Sequence, residues 1–175
     1  LFPSSFGDDG LPTEWKETLF GDLVQPKRGK VITKKKAVSG QFPVVAGGVK
    51  PAYYHNAYNS ESPVVTISAS GNAGFVNIYY SNIWASDCSY INHGITKYVY
   101  LSYCFLKINQ QKLFDMQHGA VQQHIYPDDI MRLSINTGSN KILNKFEQEV
   151  VKFFKKIALN IEESQTLAEL RNTLL

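Results

Sequence analysis

The sequence predicts an α+β protein: a body on a mainly antiparallel twisted sheet with a few helices, followed by a long C-terminal α-helix. Three observations carry that prediction. Residues 21–138 hold short β-rich runs bounded by Gly, Pro, Asn and Ser clusters. One helical pattern interrupts them at residues 97–112. Residues 144–175 contain no Gly and no Pro, and apolar residues recur there at Phe146, Val150, Phe154, Ile157 and Ile161, the steps of four and three that make one helical stripe.

The first element follows a tether. Turn formers (Gly7-Asp8-Asp9-Gly10, Pro12) lead into Trp15-Lys16-Glu17-Thr18-Leu19-Phe20, a short opening segment. The strands come next, at Phe42-Pro43-Val44-Val45-Ala46, Pro63-Val64-Val65-Thr66-Ile67-Ser68 and Gly74-Phe75-Val76-Asn77-Ile78-Tyr79-Tyr80, each rich in β-branched or aromatic residues. The helix at residues 97–112 aligns Val99, Tyr103, Leu106 and Gln110 on one face. Trp84, Tyr90 and Tyr98 are expected in the core, and Asp87 is expected to cap a turn.

The tail is set apart by its length. Asn144 with Glu147 three residues later reads as an N-cap and capping box that starts the helix. About 31 residues at ~1.5 Å each make a rod of roughly 46 Å. A globule of the preceding 140 residues is only ~30–35 Å across. Part of the stripe must project and meet something else; the alternative is a core helix lying across the body. After Ile161 the apolar positions continue at Leu167, Leu170 and Leu174, one residue out of phase, a slip that a uniform supercoil does not tolerate without distortion. Two successive faces, each with its own neighbour, are expected. The boundary between body and helical region is placed at residues 1–140 and 141–175.

Composition narrows the classes. A chain of 175 residues holds one domain with a real core plus an appendage. With 43% hydrophobic residues and a mean hydropathy of −0.21, no run approaches the ~18 apolar residues of a membrane span. Leu-Phe-Pro-Ser-Ser-Phe at the start lacks the basic opening and apolar stretch of a secretory signal. Cys88 and Cys104 have no metal-like spacing, so reduced thiols in a cytoplasmic protein are expected. Beginning on Leu instead of Met predicts a fragment or a processed product.

Charge is concentrated in one place. The net charge is only +3, yet KRGKVITKKK packs six basic residues (Lys27, Arg28, Lys30, Lys34, Lys35, Lys36) into ten positions with no acid. Such a cluster is either a solvated loop or a phosphate-neutralising surface.

Catalytic motifs are missing. There is no Gly-x-Gly-x-x-Gly or phosphate loop to anchor a nucleotide cofactor. His55, His93, His118 and His124 never fall at the helical metal spacing of i, i+4. Pro127-Asp128 is not followed by the Asp-x-Lys or Glu-x-Lys of a nuclease, and no Asn-Pro-Pro-Tyr is present. No metal site is expected, and no catalytic residue is assigned.

Polar, aromatic loops remain. Gly47-Gly48-Val49-Lys50-Pro51-Ala52-Tyr53-Tyr54-His55-Asn56 offers close approach, a cation and tyrosines. Ser68-Ala69-Ser70-Gly71-Asn72 ends a strand, where Ser70 and Asn72 either read a ligand or satisfy backbone groups. Gln117-His118-Gly119-Ala120-Val121-Gln122-Gln123-His124 presents amides suited to adenine edges. Singly each is an ordinary turn; beside the basic segment they point to nucleic acid.

These residues resemble one half of the specificity subunit of type I restriction–modification systems: one target recognition domain and one conserved helical region. Leu11-Pro12-Thr13-Glu14-Trp15 and Phe20-Gly21-Asp22-Leu23 are similar to that family's Pro-x-x-Trp…Leu-Gly-Asp opening. Phe42-Pro43-Val44-Val45-Ala46-Gly47-Gly48 resembles its Tyr-Pro-Val-x-Gly-Gly strand and turn. Ile67-Ser68-Ala69-Ser70-Gly71-Asn72-Ala73-Gly74 and Ile83-Trp84-Ala85-Ser86-Asp87 resemble its central pattern. Gly119-Ala120-Val121-Gln122-Gln123-His124-Ile125 stands for Gly-x-x-Gln-x-x-Ile, and Leu143 with Phe146-Glu147-Gln148 for Pro-Leu-x-x-Gln. The departures are Ile142-Leu143 in place of Pro-Leu, and one domain and helix where a full subunit has two of each. The chain is thus expected to be a C-terminal half or a half-sized subunit that dimerises.

The resemblance implies a DNA-binding subunit without chemistry of its own, reading about half of a split double-stranded target. It implies phosphate positioning by Lys27, Arg28, Lys30, Lys34, Lys35 and Lys36, and base reading by Lys50, Tyr53, Tyr54, Ser70, Asn72, Gln122, Gln123 and His124. The helix, through Phe146, Val150, Phe154, Ile157, Ile161, Leu167, Leu170 and Leu174, would space a second half-subunit or homodimer copy. It would also dock methyltransferase subunits, which carry the S-adenosylmethionine, and a restriction translocase subunit. No cofactor is expected in this chain. The competing classes are a coiled-coil interaction module and a DNA methyltransferase or nuclease in its own right.

Overall fold

The structure, a computed structural model, describes residue 7 and residues 12–119 and 123–174; the expected readings at residues 1–6, 8–11 and 120–122, Gln122 among them, lie outside these. The α+β body and long terminal helix form as predicted, with the strands divided among three sheets. The centre is β5 (Val64–Ser68), every residue of which is buried, as its unbroken Val-Val-Thr-Ile run requires of a strand covered on both faces. It pairs antiparallel with β6 (Val76–Tyr79) on one side and β8 (Cys88–Ile91) on the other, and β8 pairs with β2 (Lys27–Arg28). A second sheet orders β4 (Tyr53–His55), β3 (Phe42–Val45) and β7 (Trp84–Ala85), with β3 and β7 parallel.

Alternation along β5 builds two cores. Val65 and Ile67 join Phe20, Val99, Leu106, Leu113 and Ile130 on the helical side. Val64 joins Val45, Ile83, Ala85 and Cys88, where the two sheets meet. Each fully buried aliphatic side chain stabilises by about 1.5–3 kcal/mol, so Ile67→Ala would cost several of these contacts at once. The remaining ribbon joins β1 (Lys16–Leu19) to β9 (Ser134–Thr137), returning the opening segment to the residues just before the long helix.

The helix expected over residues 97–112 is two: α2 (Val99–Ile108) and α3 (Gln110–Asp115), numbered after α1 (Phe20–Leu23). The break is at Asn109, whose side-chain amide donates to the Phe105 carbonyl (2.9 Å) and closes the turn, while Gln110 turns its carbonyl oxygen to the Val76 amide of β6 (3.0 Å). Tertiary bonding overrides the continuous helical pattern. A short α4 (Pro127–Met131) starts on Pro127, as the fixed φ of proline favours.

The long helix α5 (Asn140–Leu174) corrects the expected start. It begins four residues earlier, and Glu147 is not a local cap. Its carboxylate instead accepts the Tyr100 and Leu101 amides, both at 2.8 Å, at the first turn of α2, whose own N-cap residue Tyr98 does not cap the helix with its side chain. Asn144 accepts the Tyr98 hydroxyl at 3.1 Å. Burial raises the Glu147 carboxyl above its ordinary range, against the lowering effect of the two amides. Phe154 stacks on Tyr100 at 4.7 Å and meets Tyr103 edge-on at 5.6 Å. Beyond it nearly every residue is exposed, and a groove of about 700 Å³ separates residues 155–165 from Ile78, Tyr79, Tyr80 and Ser81. Among the described residues no helix is long and apolar enough to cross a membrane.

Candidate nucleic-acid interface

The residues after β5 form a turn that needs glycine twice: Gly71 and Gly74 have φ of +66° and +83°, a region that a Cβ disfavours. Against it lies the turn after β3. The Asn72 amide donates to the Gly47 carbonyl at 2.9 Å, and a Cβ on Gly47 would stand 2.3 Å from the Ser70 carbonyl oxygen. Only glycine permits that approach. The third segment joins through the Ile125 amide to the Ala69 carbonyl (3.1 Å) and the Gln117 side-chain amide to the Ala73 carbonyl (2.6 Å). Three loops that lie far apart in the chain therefore share one junction.

The third loop is stapled at its base. His118 and His124 exchange both backbone hydrogen bonds (2.9 and 2.8 Å) in an antiparallel bridge. The His118 imidazole meets buried Asp129 at 3.0 Å, and the other Asp129 oxygen accepts the Tyr126 amide. The His124 ring stacks on Tyr126 at 6.1 Å. Gln123, next to His124, is exposed.

The basic segment is held to the same junction by one acid. Arg28 Nη2 meets Asp87 Oδ1 at 2.5 Å, and the Ser70 hydroxyl donates to the second Asp87 oxygen. The Ala69 amide also donates to the Asp87 carbonyl at 3.2 Å. From there the chain is laced down: the Trp84 indole donates to the Lys30 carbonyl (2.7 Å), and the Tyr53 hydroxyl to the Ile32 carbonyl (2.5 Å). Then it lifts into a turn on the Thr33 carbonyl, which accepts the Lys36 and Ala37 amides and leaves Lys34, Lys35 and Lys36 exposed.

The expected reading residues thus divide. Lys50, Tyr54, Asn72 and Gln123 are exposed, and His124 is half-buried. Tyr53 and Ser70 keep their hydroxyls on internal partners, so both act first as braces of the loops. Asp87 does more than cap a turn, Gln117 turns its side-chain amide to the Ala73 carbonyl, and Asp129 is a structural residue that the sequence does not single out. A signal for Asp87 was present: residues 41–114 contain two acids, Glu61 and Asp87. Among the described residues no cluster of three His, Cys, Asp or Glu side chains is arranged to hold a metal. Cys88 is buried, its thiol pushed up to about 12 by burial, which removes it as a nucleophile.

A family model described as "Type I restriction modification DNA specificity domain" matches residues 12–172. Three solved structures share the fold. One is the S subunit of a type I restriction–modification system from M. genitalium, with a TM-score of 0.65 and 21% identity over 81% of this chain and 39% of that one. A second is a chain from work on complex assembly and conformational transition of the type I R-M system, with a TM-score of 0.59 and 16% identity over 98% and 46%. The HsdS subunit from Thermoanaerobacter tengcongensis gives a TM-score of 0.54 and 14% identity over 90% and 41%. This chain spans less than half the length of each. No curated protein sequence matches it significantly.

Proposed function

We propose that this chain, which belongs to the type I restriction–modification DNA specificity domain family, is a non-catalytic cytoplasmic subunit that reads one half of a split double-stranded DNA target. The observation that carries the reading is the shared junction. Three polar loops meet around Ser70, and Asp87 ties the basic segment to them. In this reading Lys27, Lys30, Lys34, Lys35 and Lys36 neutralise phosphates and set register. Lys50, Tyr54, Asn72, Gln122, Gln123 and His124 reach base edges, and Tyr53 and Ser70 hold the loops that present them.

Residues 1–140 form the reading unit and residues 141–175 the spacer. The exposed Ile157, Ile161, Leu167, Leu170 and Leu174 side chains support a role for the helix in meeting other chains. Those chains are a second half-subunit or copy, the methyltransferase subunits that carry S-adenosylmethionine, and a restriction translocase subunit. The test is salt-dependent duplex binding. Log K should fall linearly with log salt, and neutralising residues 34–36 should flatten the slope by roughly 2–3, about 0.9 for each phosphate lost. Failure to bind any duplex at low salt, even with the methyltransferase partner, would sink the reading.

A further inference from the structure

Arg28 stands apart from its basic neighbours. Lys34, Lys35 and Lys36 are exposed and have no acid partner among the described residues, whereas the Arg28 guanidinium touches a carboxylate at 2.5 Å. It is not hidden: its side chain keeps 35% exposure, and Asp87 keeps 28%. One of the five guanidinium N–H donors is taken by Asp87, and no second acceptor meets the group among the described residues. The other carboxylate oxygen holds Ser70, at the centre of the loop junction.

A phosphate brought to this guanidinium would stand beside the Asp87 carboxylate and be repelled by it. A guanine edge carries two neutral acceptors, N7 and O6, at the spacing of an arginine fork, and suffers no such repulsion. A braced side chain also loses less conformational freedom on binding than a free one. Resting on the DNA-reading function above, we propose that Arg28 reads a guanine in the major groove instead of clamping a phosphate. Asp87 is its positioning residue, and the bond to Ser70 fixes that arginine in register with the three loops.

The experiment is selection of bound sequences from random duplexes by the chain in complex with its methyltransferase subunits, paired with salt titrations. Wild type should prefer guanine at one position of its half-site. Arg28→Lys keeps the charge but loses the fork, and Arg28→Ala loses both. Each should reduce that preference roughly 10- to 100-fold while other positions hold. Arg28→Ala should leave the salt slope unchanged. Asp87→Asn should relax the same position and steepen the slope by about 0.9, because the released arginine turns to phosphate.

A uniform loss of affinity with a slope flattened by about 0.9 in Arg28→Ala would make Arg28 a phosphate contact and overturn the proposal. Unchanged guanine preference in Arg28→Lys, whose packing is the least disturbed, would overturn it while leaving the DNA-reading function standing. Absence of any sequence preference in wild type would overturn both.

Discussion

Glu147 caps a helix that is not its own: its carboxylate accepts the Tyr100 amide at 2.8 Å, joining the long helix to the body through the N-terminus of α2. The second oxygen takes Leu101 at the same distance, so one side chain satisfies two orphan donors and places a negative charge at the positive end of a helix dipole.

Glu147→Ala should therefore destabilise the chain by about 1–3 kcal/mol in urea unfolding, since two buried amides lose their acceptor. A loss below about 0.5 kcal/mol would show that water replaces the cap.

The same residue predicts a pH dependence. Burial raises its folded pKa, so folding binds its proton more tightly than the unfolded chain does. Its contribution is fully present below the ordinary glutamate value of 4.5 and is lost as pH rises through the higher folded value. The stability difference between wild type and Glu147→Gln, followed upward from pH 4, should shift against wild type. A difference that moves the other way would contradict the direction of the shift.

The two halves of α5 should respond differently to charge. Phe154 is buried against Tyr100 and Tyr103, so Phe154→Asp should cost about 3 kcal/mol or more of stability. Leu170 is 54% exposed, and Leu170→Asp should leave unfolding within ~0.5 kcal/mol of wild type but weaken assembly in sedimentation experiments. Equal effects of both on the isolated chain would refute two successive faces.

A glycine pair tests the loop junction. At Gly47 an added Cβ would lie 2.3 Å from backbone oxygen, while at Gly48 the nearest atom is 3.5 Å away, an ordinary contact. Gly47→Ala should cost roughly 1–3 kcal/mol and lower duplex affinity, and Gly48→Ala should do much less of both. Comparable losses would mean that the junction does not order the site.

What was legible in the sequence had a local cause. β5 showed itself through an unbroken apolar run, and α5 through its stripe and the absence of Gly and Pro. β2 and β7 have two residues each, too few for any period to register. Asn144 and Glu147 have the spacing of a capping box whether the carboxylate turns back or reaches across, and only α2 decides between them. Each loop by itself has the pattern of an ordinary turn, and the Arg28–Asp87 pair spans 59 positions, so their convergence is a property of the folded chain alone.

The proposed reading of half a split target has a direct consequence in the genome. Profiling genomic methylation with and without its gene tests that most directly. The expected result is a two-part motif with a fixed gap that disappears with the gene, and whose one half changes when Asn72 and Gln123 are replaced. A motif that persists without the gene, or a single uninterrupted one, would contradict it.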